Sequence, residues 1–493
     1  MAWIAIDAGT SVIKAVAFAD DGSELAMERQ PSEVLRPHSG FSEQDMNGTW
    51  NAVLASVHAI NKKVSEPIRG IVTTAQGDGC WLIDSQGSPV RNAILWNDGR
   101  AADIVQQWHD NGVLHQAFRL SGSLSYAGLP NAILAWLSKH EPGTISKSKS
   151  ALTCNGWLFY RFTGELAADL SDASNPFSDV RAEQYSPRLL ELYGAQAFAE
   201  LLPPIAVGRK VVAPLSGCIA QQLGLTAGIP VVMAPYDIVA TALGSGAVSQ
   251  GQACVILGTT ICSEVILSSL NLDGPPAGTT IALGRRQFLR AMPTLTGCES
   301  LHWAARTFSC STPSELDALA SSSEPTRDGP FFLPYLSPAG ERAPFLDSSA
   351  RGSFHGLTLA HDRAHLARTV YEGLSFVIRD CLENAYNEDL QEVRVCGGGA
   401  QSDFWCQMIA DVVGVKVLRP RDTETGARGA YVFGLSATGE IASSADGIRQ
   451  HIQTAASFGP SREWRIHYDR RYQLFREVRT LSAPQWHLQA GRK

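Results

Sequence analysis

The stretch IAIDAGTSVIKAVAF breaks an apolar run with an acid, a glycine and two hydroxyl residues, and then resumes the apolar alternation. The pattern predicts two strands, residues 2–7 and 12–18, joined by a tight turn. Gly9 would allow a positive φ or the close approach of another group. The turn's N–H groups and hydroxyls could hold phosphate oxygens, and Asp7 could hold a hydrated Mg²⁺. A plain hairpin turn is the alternative interpretation.

A second stretch of the same type lies halfway along the chain. QACVILGTTICSEVIL, residues 252–267, again reads as strand, Gly-Thr-Thr turn and strand. Together with the first hairpin it indicates an internal duplication, with a boundary near residues 244–251. We therefore expect two domains, residues 1–246 and 247–493. Chance recurrence of a Gly-Thr hairpin remains the alternative.

A triple glycine follows a strand-like segment in VRVCGGGAQSDFWCQMIADVVGVKV, residues 393–417, and an apparent helix comes next. Gly397, Gly398 and Gly399 remove side chains where a flat ligand could lie against the backbone. A tight strand-to-helix connection is the structural alternative, although three consecutive glycines carry an entropic cost.

The carboxylate of Asp237 comes directly after an apolar segment in APYDIVATALGSG. Such a group is costly to bury unless it meets water, metal or ligand, so we regard it as a candidate base for a substrate hydroxyl. An aspartate with an ordinary pKa of about 3.9 would be ionised at neutral pH. A structural aspartate with satisfied hydrogen bonds is the alternative.

Polar side chains together with the aromatic ring of Trp96 occur in TTAQGDGCWLID and AILWNDGRA. Polyhydroxylated ligands suit such surroundings, because hydroxyls accept and donate hydrogen bonds while the C–H face lies on the ring. The candidate residues are Gln76, Asp78, Trp96, Asn97 and Arg100.

The remaining sequence predicts an α/β protein in which strands and helices alternate. Trp50, Val53 and Val57 share a helical face in NGTWNAVLASVHAINKKV, and residues 462–479 predict a closing amphipathic helix. The net charge of −7 without a basic block argues against a nucleic-acid partner. The ten cysteines include no C-x-x-C pair, and the longest apolar stretch contains Asp237. We therefore expect a cytoplasmic protein with reduced thiols and no membrane partner.

These stretches resemble the FGGY carbohydrate kinases, the family of glycerol, xylulose and erythritol kinases, over nearly the whole chain. IAIDAGTSVIKAVAFADDG resembles the family's phosphate hairpin, and GGGAQSDFWCQMIAD resembles its adenosine-site segment. GFSEQDMNGTW, FYRFTGELAADLSDAS and PYLSPAGERAPFLDSSARGSFHGL are similar to further family segments. GSFHGLTLAHDRAHLARTVYEG nearly fits the C-terminal signature, with Thr369 where alanine or serine is usual. PNAILAWL has Asn131 where lysine is common in the family.

The resemblance implies a duplicated actin/hexokinase-type (ribonuclease H-like) two-domain fold with a central cleft and two cofactors, ATP and Mg²⁺. It implies Asp237 as catalytic base and Asp7 as part of the first phosphate motif, and we expect Asp7 and Asp237 to bind the metal. The residues that it implies for phosphate and adenosine binding are Gly9, Thr10, Ser11, Lys14, Gly258, Thr259, Thr260, Gly398, Gly399, Ala400 and Ser402. Those that it implies for substrate binding are Gln76, Gly77, Asp78, Trp96 and Asp237.

The function that we expect is ATP-dependent phosphorylation of a small polyol or ketose, since TAQGDG and LSPAGERAPF look most like segments of erythritol and L-xylulose kinases. The alternative is a nucleotide-dependent binding or switch protein of the same superfold, because fold does not fix function. A homodimer remains open as the assembly.

Overall fold

The structure of the chain is a computed structural model that describes residues 1–386 and 388–491. Strands and helices alternate along it, as the sequence predicts. The strands are β1 (Ala2–Ala8), β2 (Val12–Ala19), β3 (Glu24–Pro31), β4 (Glu43–Gln44), β5 (Ile68–Ala75), β6 (Trp81–Ile83), β7 (Ala93–Ile94), β8 (Ser150–Leu152), β9 (Ala168–Asp169), β10 (Ser178–Asp179), β11 (Gln184–Tyr185), β12 (Ile205–Ala206), β13 (Val212–Pro214), β14 (Pro230–Met233), β15 (Gln252–Leu257), β16 (Ile261–Leu267), β17 (Thr279–Gly284), β18 (Gln287–Pro293), β19 (Phe331–Leu333), β20 (Ser353–His355), β21 (Glu392–Cys396), β22 (Lys416–Pro420) and β23 (Thr454–Phe458).

Helices alternate with these strands. They are α1 (Met46–Lys63), α2 (Ala102–Asp110), α3 (Val113–Ser121), α4 (Pro130–His140), α5 (Pro142–Lys147), α6 (Cys154–Thr163), α7 (Leu170–Ala173), α8 (Pro187–Leu192), α9 (Gly217–Leu223), α10 (Asp237–Ser245), α11 (Cys298–Thr307), α12 (Pro313–Ser321), α13 (Arg363–Ala385), α14 (Asp403–Val413), α15 (Thr425–Thr438), α16 (Ser444–His451) and α17 (Arg462–Gln489). Short 3₁₀ helices occupy Gln196–Leu201, Gly208–Val211 and Gly398–Gln401. Within the described ranges, none of the helices is long and apolar enough to cross a membrane.

The chain divides into two compact units. The first unit contains Met1–Val248, Ser268–Leu289 and Glu424–Ile452, and the second contains Ser249–Leu267, Arg290–Thr423 and Gln453–Lys493. Residues from late in the chain therefore belong to the first unit, among them the whole of α15 and α16.

The first unit is built on a six-stranded sheet in the order β13-β14-β5-β1-β2-β3. Strand β1 is antiparallel to β2 and parallel to β5, and β5 is parallel to β14. Every residue of β1 except Asp7 is buried. A continuous apolar strand of this kind is typical of the centre of a sheet that is covered on both faces.

The second unit repeats this strand pattern. Strand β15 is antiparallel to β16 and parallel to β21, β21 is parallel to β22, and β22 is antiparallel to β23. The order β16-β15-β21-β22-β23 thus matches β2-β1-β5-β14-β13 of the first unit, strand for strand. Both predicted Gly-Thr hairpins are confirmed, as is the duplicated two-domain α/β fold.

Two helices of the first unit, α10 and α15, cross at a pair of glycines. A Cβ atom on Gly244 would lie 1.8 Å from the carbonyl oxygen of Thr425, and one on Gly429 would lie 1.8 Å from that of Ala240. Only glycine permits this approach of the two backbones. Because α10 begins at Asp237, the crossing fixes the helix that carries the expected base.

The closing helix α17 confirms the predicted amphipathic segment and extends ten residues beyond it. The buried side chains include Tyr468, Tyr472 and Phe475, whose helical spacing suggested the prediction. The helix continues through Pro484 to Gln489.

Candidate active site

The turn between β1 and β2 packs closely at Gly9. Gly9 is not among the residues with positive φ, so that possibility raised by the sequence is wrong. Its N–H donates to the carbonyl oxygen of Val12 at 3.1 Å, and a Cβ atom on Gly9 would lie 3.1 Å from the same oxygen. Ser11 is exposed at the tip of the turn.

The hydroxyl of Thr10 ties this turn to the residues expected to bind substrate. It donates to Gln76 Oε1 at 2.8 Å and accepts from Trp96 Nε1 at 3.0 Å. Gln76 Nε2 donates in turn to Gln44 Oε1 at 2.7 Å, and Gln44 Nε2 donates to the backbone oxygen of Thr10 at 3.2 Å. The structure therefore brings Thr10 together with Gln76 and Trp96, which lie 66 and 86 residues further along the chain. Gln44 was not among the site residues predicted from the sequence.

Asp237 is the first residue of α10, and its Oδ1 accepts a hydrogen bond from the N–H of Ile238 at 2.7 Å. The backbone N–H of Gly77 also faces this carboxylate. A Cβ atom on Gly77 would lie 2.3 Å from the ring of Tyr236, the residue that precedes Asp237, so glycine is needed there for space.

The pKa of Asp237 is raised to about 8, first because the protein shields the carboxylate from water and then because Asp7 and Asp78 repel it. The expectation of an ordinary aspartate, ionised at neutral pH, is therefore wrong for the free protein. Sequence reasoning placed the three carboxylates individually but could not foresee their mutual repulsion.

Asp7 lies opposite Lys14 in the β1–β2 pairing. The pKa of Asp7 is raised, chiefly by burial. The positive charge of Lys14 offsets part of this increase, and the negative charge of Glu424 adds to it. Lys14 Nζ forms an ion pair at 2.8 Å with Glu424, which also pairs with Arg29. Glu424 is buried beside the turn and was not predicted from the sequence, since nothing in ETGARG distinguishes it.

Asp78 is held in the left-handed region, with φ of 55°. The hydroxyl of Tyr126 donates to its Oδ2 at 2.6 Å, and Asn175 Nδ2 donates to its Oδ1 at 3.4 Å. Tyr126 and Asn175 were not predicted from the sequence, because they belong to other segments of the first unit.

Arg100, a candidate from the polar stretch, has a structural role. Its guanidinium is buried, pairs with Asp98 at 2.8 Å and with Glu43 at 2.7 Å, and lies over the ring of Phe41. These contacts use the charge of Arg100 within the fold, and the binding of a ligand by Arg100 stays a prediction. Asn97, its neighbour in the same stretch, is exposed.

The carboxylates of Asp7 and Asp237 fit a magnesium ion. Across the described ranges, no group of three or more His, Cys, Asp or Glu side chains is arranged to hold a metal. Magnesium usually takes only one or two protein carboxylates and completes its shell with water and phosphate. The raised pKa values of Asp7 and Asp237 reflect burial and repulsion, which a divalent cation would offset.

In the second unit, the Gly-Thr-Thr turn is closed by the start of α11. The N–H of Cys298 donates to the oxygen of Gly258 at 3.0 Å, and the N–H of Glu299 donates to that of Thr259 at 3.3 Å. A Cβ atom on Gly297 would lie 2.5 Å from Thr260. Thr259 is exposed, and Gly258 and Thr260 are partly exposed.

The three consecutive glycines differ in what they permit. Gly397 has φ of 87°, and a Cβ atom on Gly399 would lie 2.6 Å from the ring of Trp405. A Cβ atom on Gly398 would meet nothing within 4 Å. Gly397 and Gly399 thus serve the strand-to-helix connection, and Gly398 leaves bare backbone that a flat ligand can approach.

Ala400 and Ser402 complete this connection. Ser402 Oγ accepts from the N–H of Trp405 at 3.0 Å and caps α14. Arg419 Nη1 donates to the buried Ala400's oxygen at 2.8 Å and pairs with Asp403 at 2.7 Å. The predicted adenosine segment is therefore a capped helix start that lies beside one arginine.

The class of protein follows from comparison with known families. The models of the FGGY family of carbohydrate kinases match the chain twice, the N-terminal domain over residues 2–244 and the C-terminal domain over residues 253–438. The chain therefore belongs to the FGGY family of carbohydrate kinases, and it is a sugar or polyol phosphotransferase that uses ATP.

Individual relatives agree with this assignment. The chain is 29% identical to the L-xylulose/3-keto-L-gulonate kinase of Escherichia coli, over 97% of the chain and 96% of that protein. It is 30% identical to the erythritol kinase of Brucella abortus, over 98% of the chain and 96% of that protein. The crystal structure of ligand-bound xylulose kinase from Lactobacillus acidophilus has the same fold, with a TM-score of 0.93, 24% identity and coverage of 98% and 99%. These findings support the kinase and not the nucleotide-dependent switch protein.

Proposed function

We propose that this enzyme transfers the γ-phosphoryl group of ATP, with Mg²⁺, to a hydroxyl of a four- or five-carbon polyol or ketose, and that Asp237 is the base. Erythritol-like and xylulose-like compounds are the substrate classes to which the relatives' names point. The observation that carries the proposal is the Asp237 carboxylate at the start of α10, near the carboxylates of Asp7 and Asp78.

Asp237 in its ionised form would accept a hydrogen bond from the attacking hydroxyl, orient its oxygen towards phosphorus, and take its proton as the new bond forms. Asp78 would accept hydrogen bonds from other substrate hydroxyls, and the indole of Trp96 would bound the sugar's C–H face. Catalysis of this kind depends mainly on position and charge.

The β1–β2 turn with Gly9, Thr10, Ser11 and Lys14 would hold phosphate oxygens. Because the Thr10 hydroxyl is engaged with Gln76 and Trp96, its contribution there would come from the backbone. Asp7 and Asp237 would hold Mg²⁺, which neutralises charge on the phosphate when it is bound. Gly258, Thr259, Thr260, Gly398, Gly399, Ala400 and Ser402 would contact the nucleotide.

We assign the sugar side and the first phosphate turn to the half of the chain over residues 1–246, and the nucleotide side to residues 247–493. We also infer that the enzyme works in the cytoplasm. The ten cysteines are all free thiols, as in proteins of reducing compartments, and ATP is supplied there.

A substrate panel tests the reaction. The purified protein with ATP and Mg²⁺ should release ADP only when a suitable acceptor is added, and erythritol, L-xylulose, D-xylulose and glycerol form the first panel. Omitting Mg²⁺ should abolish turnover. Failure of every four- and five-carbon polyol and ketose, with protein that still binds ATP, would contradict the proposal.

The Asp237→Asn variant tests the base. Asparagine keeps the shape but cannot accept the proton, so kcat should fall by about 10²–10⁴-fold while calorimetry shows both ligands still bound. Asp103→Asn, at an exposed position of α2, serves as the matched control and should retain wild-type kcat. A folded Asp237→Asn variant with a tenth or more of the wild-type kcat would remove Asp237 from this role.

A further inference from the structure

An exposed apolar stripe runs along the C-terminal helix α17. It consists of Ile466, Leu474, Leu481 and Leu488, whose side chains are 67%, 36%, 75% and 79% exposed. These residues are eight, seven and seven positions apart, or about two helical turns each, so they lie on one side of the helix. Single exposed leucines are ordinary, whereas four in line indicate a surface that another molecule covers.

Two opposite charges lie within this stripe. Arg470 falls between Ile466 and Leu474, and Glu477 falls between Leu474 and Leu481. Both side chains are exposed. Throughout the described part of the chain, neither Arg470 nor Glu477 forms an ion pair or a side-chain hydrogen bond, although neighbours such as Arg465 and Arg479 do.

The two charged residues, and likewise Ile466 and Leu481, are symmetric about one point. A second copy of α17 can lie antiparallel to the first, with a two-fold axis between Gln473 and Leu474. Each residue then faces the partner residue that lies equally far from the axis on its other side. Arg470 then faces the partner's Glu477, and Ile466 faces the partner's Leu481. Leu474 lies next to the axis. A two-fold interface requires such self-complementarity, in which each residue of a pair contacts the other's equivalent.

We propose that α17 is the interface of a homodimer in which two copies of the helix pack antiparallel along this stripe. The paired segment covers residues 463–484, about 30 Å of helix, and Leu488 lies beyond it. Both Arg470–Glu477 pairs form across the interface, and they set the register of the helices. Ile466, Leu474 and Leu481 of both copies supply the apolar seam, and Leu474 and Leu481 have the heptad spacing that is typical of coiled coils.

Charge reversal provides the sharpest test. Sedimentation velocity over a series of concentrations should give the wild type a mass of twice the 53.0 kDa of the chain. Arg470→Glu places two glutamates opposite each other, and Glu477→Arg places two arginines, so each should weaken dimerisation by about tenfold or more. The double variant restores opposite charges in every pair and should recover the dimer.

Leucine variants test the apolar seam. Leu481→Glu should yield a monomer with an unchanged melting temperature, because the side chain is exposed in the isolated chain. Leu359→Glu, at the fully exposed Leu359 outside α17, is the matched control and should remain dimeric. A monomeric wild type, a dimer that survives Leu481→Glu, or a double charge variant that fails to reassociate would each overturn the proposal.

Discussion

The carboxylate of Asp237 makes folding stability depend on pH. Its pKa is about 8 in the folded protein against 3.8 as the ordinary value, so between these values the folded state binds more protons than the unfolded state. The free energy of unfolding therefore falls as pH rises through this window. Asp237→Asn removes the titration, so the melting temperature of this variant minus that of the wild type should increase from pH 5.5 to pH 8.5.

Calorimetric melting without ligands measures this difference. Asp103→Asn, on the exposed face of α2, should melt in parallel with the wild type at every pH. Parallel curves for Asp237→Asn as well would contradict a raised pKa of the Asp237 carboxylate.

Asp78 belongs to the sugar side of the proposed site. Removing its charge should raise the sugar KM much more than the ATP KM, because a charged hydrogen-bond partner of a buried hydroxyl contributes about 1.5–3 kcal/mol, or roughly 10- to 150-fold. Initial rates of Asp78→Asn with each substrate varied in turn measure the two constants. Equal changes in both would instead indicate that Asp78 serves mainly to hold Tyr126 and Asn175.

At the scale of elements, the crossing of α10 and α15 should control both stability and catalysis. Gly429→Ala introduces a Cβ atom 1.8 Å from the oxygen of Ala240, so the helices must separate, at a cost of about 1–3 kcal/mol. Since α10 begins at Asp237, kcat should fall together with the melting temperature.

Gly434→Ala is the matched control on the same helix. Its Cβ atom would lie 3.4 Å from Val72, about an ordinary contact, and alanine favours a helix over glycine. The control should melt at or above the wild-type temperature with normal kcat. If Gly429→Ala matched this control in both readouts, the close crossing would not position the base.

The turn before α14 allows a second prediction at this scale. Gly398→Leu should leave the melting temperature unchanged, because no atom lies within 4 Å of its Cβ position, and should raise the ATP KM by covering the bare backbone. Gly399→Ala should instead lower the melting temperature, because its Cβ atom meets the ring of Trp405. Equal ATP affinity in Gly398→Leu and the wild type would place the nucleotide elsewhere.

At the scale of the whole molecule, the duplication explains why two similar turns occur in one chain. Each unit repeats the hairpin, two parallel strands and an antiparallel edge strand. The sequence carries this signal because a central hairpin needs continuous apolar strands and a turn of small residues wherever it occurs. The hairpins, the strand–glycine–helix segment and the α/β class could therefore be predicted from local pattern alone.

Contacts between distant segments could not be predicted in this way. Lys14 and Glu424 are 410 positions apart, and the α15 that follows Glu424 folds with the first unit although it comes late in the chain. No local spacing encodes such a pairing, and the same holds for Tyr126 and Asn175 beside Asp78.

The sequence by itself determined the residue types that the chemistry requires: a carboxylate after a buried strand, two small-residue turns, and a glycine run before a helix. Only the tertiary structure decided the pKa values of these carboxylates and the contacts that each residue makes. It buried Asp237 near Asp7 and Asp78, which raises the pKa of Asp237, and it showed that a Cβ atom on Gly9 would crowd the backbone and that Arg100 is paired within the fold. Burial and the distance between charges arise when remote segments pack together, and they set these properties.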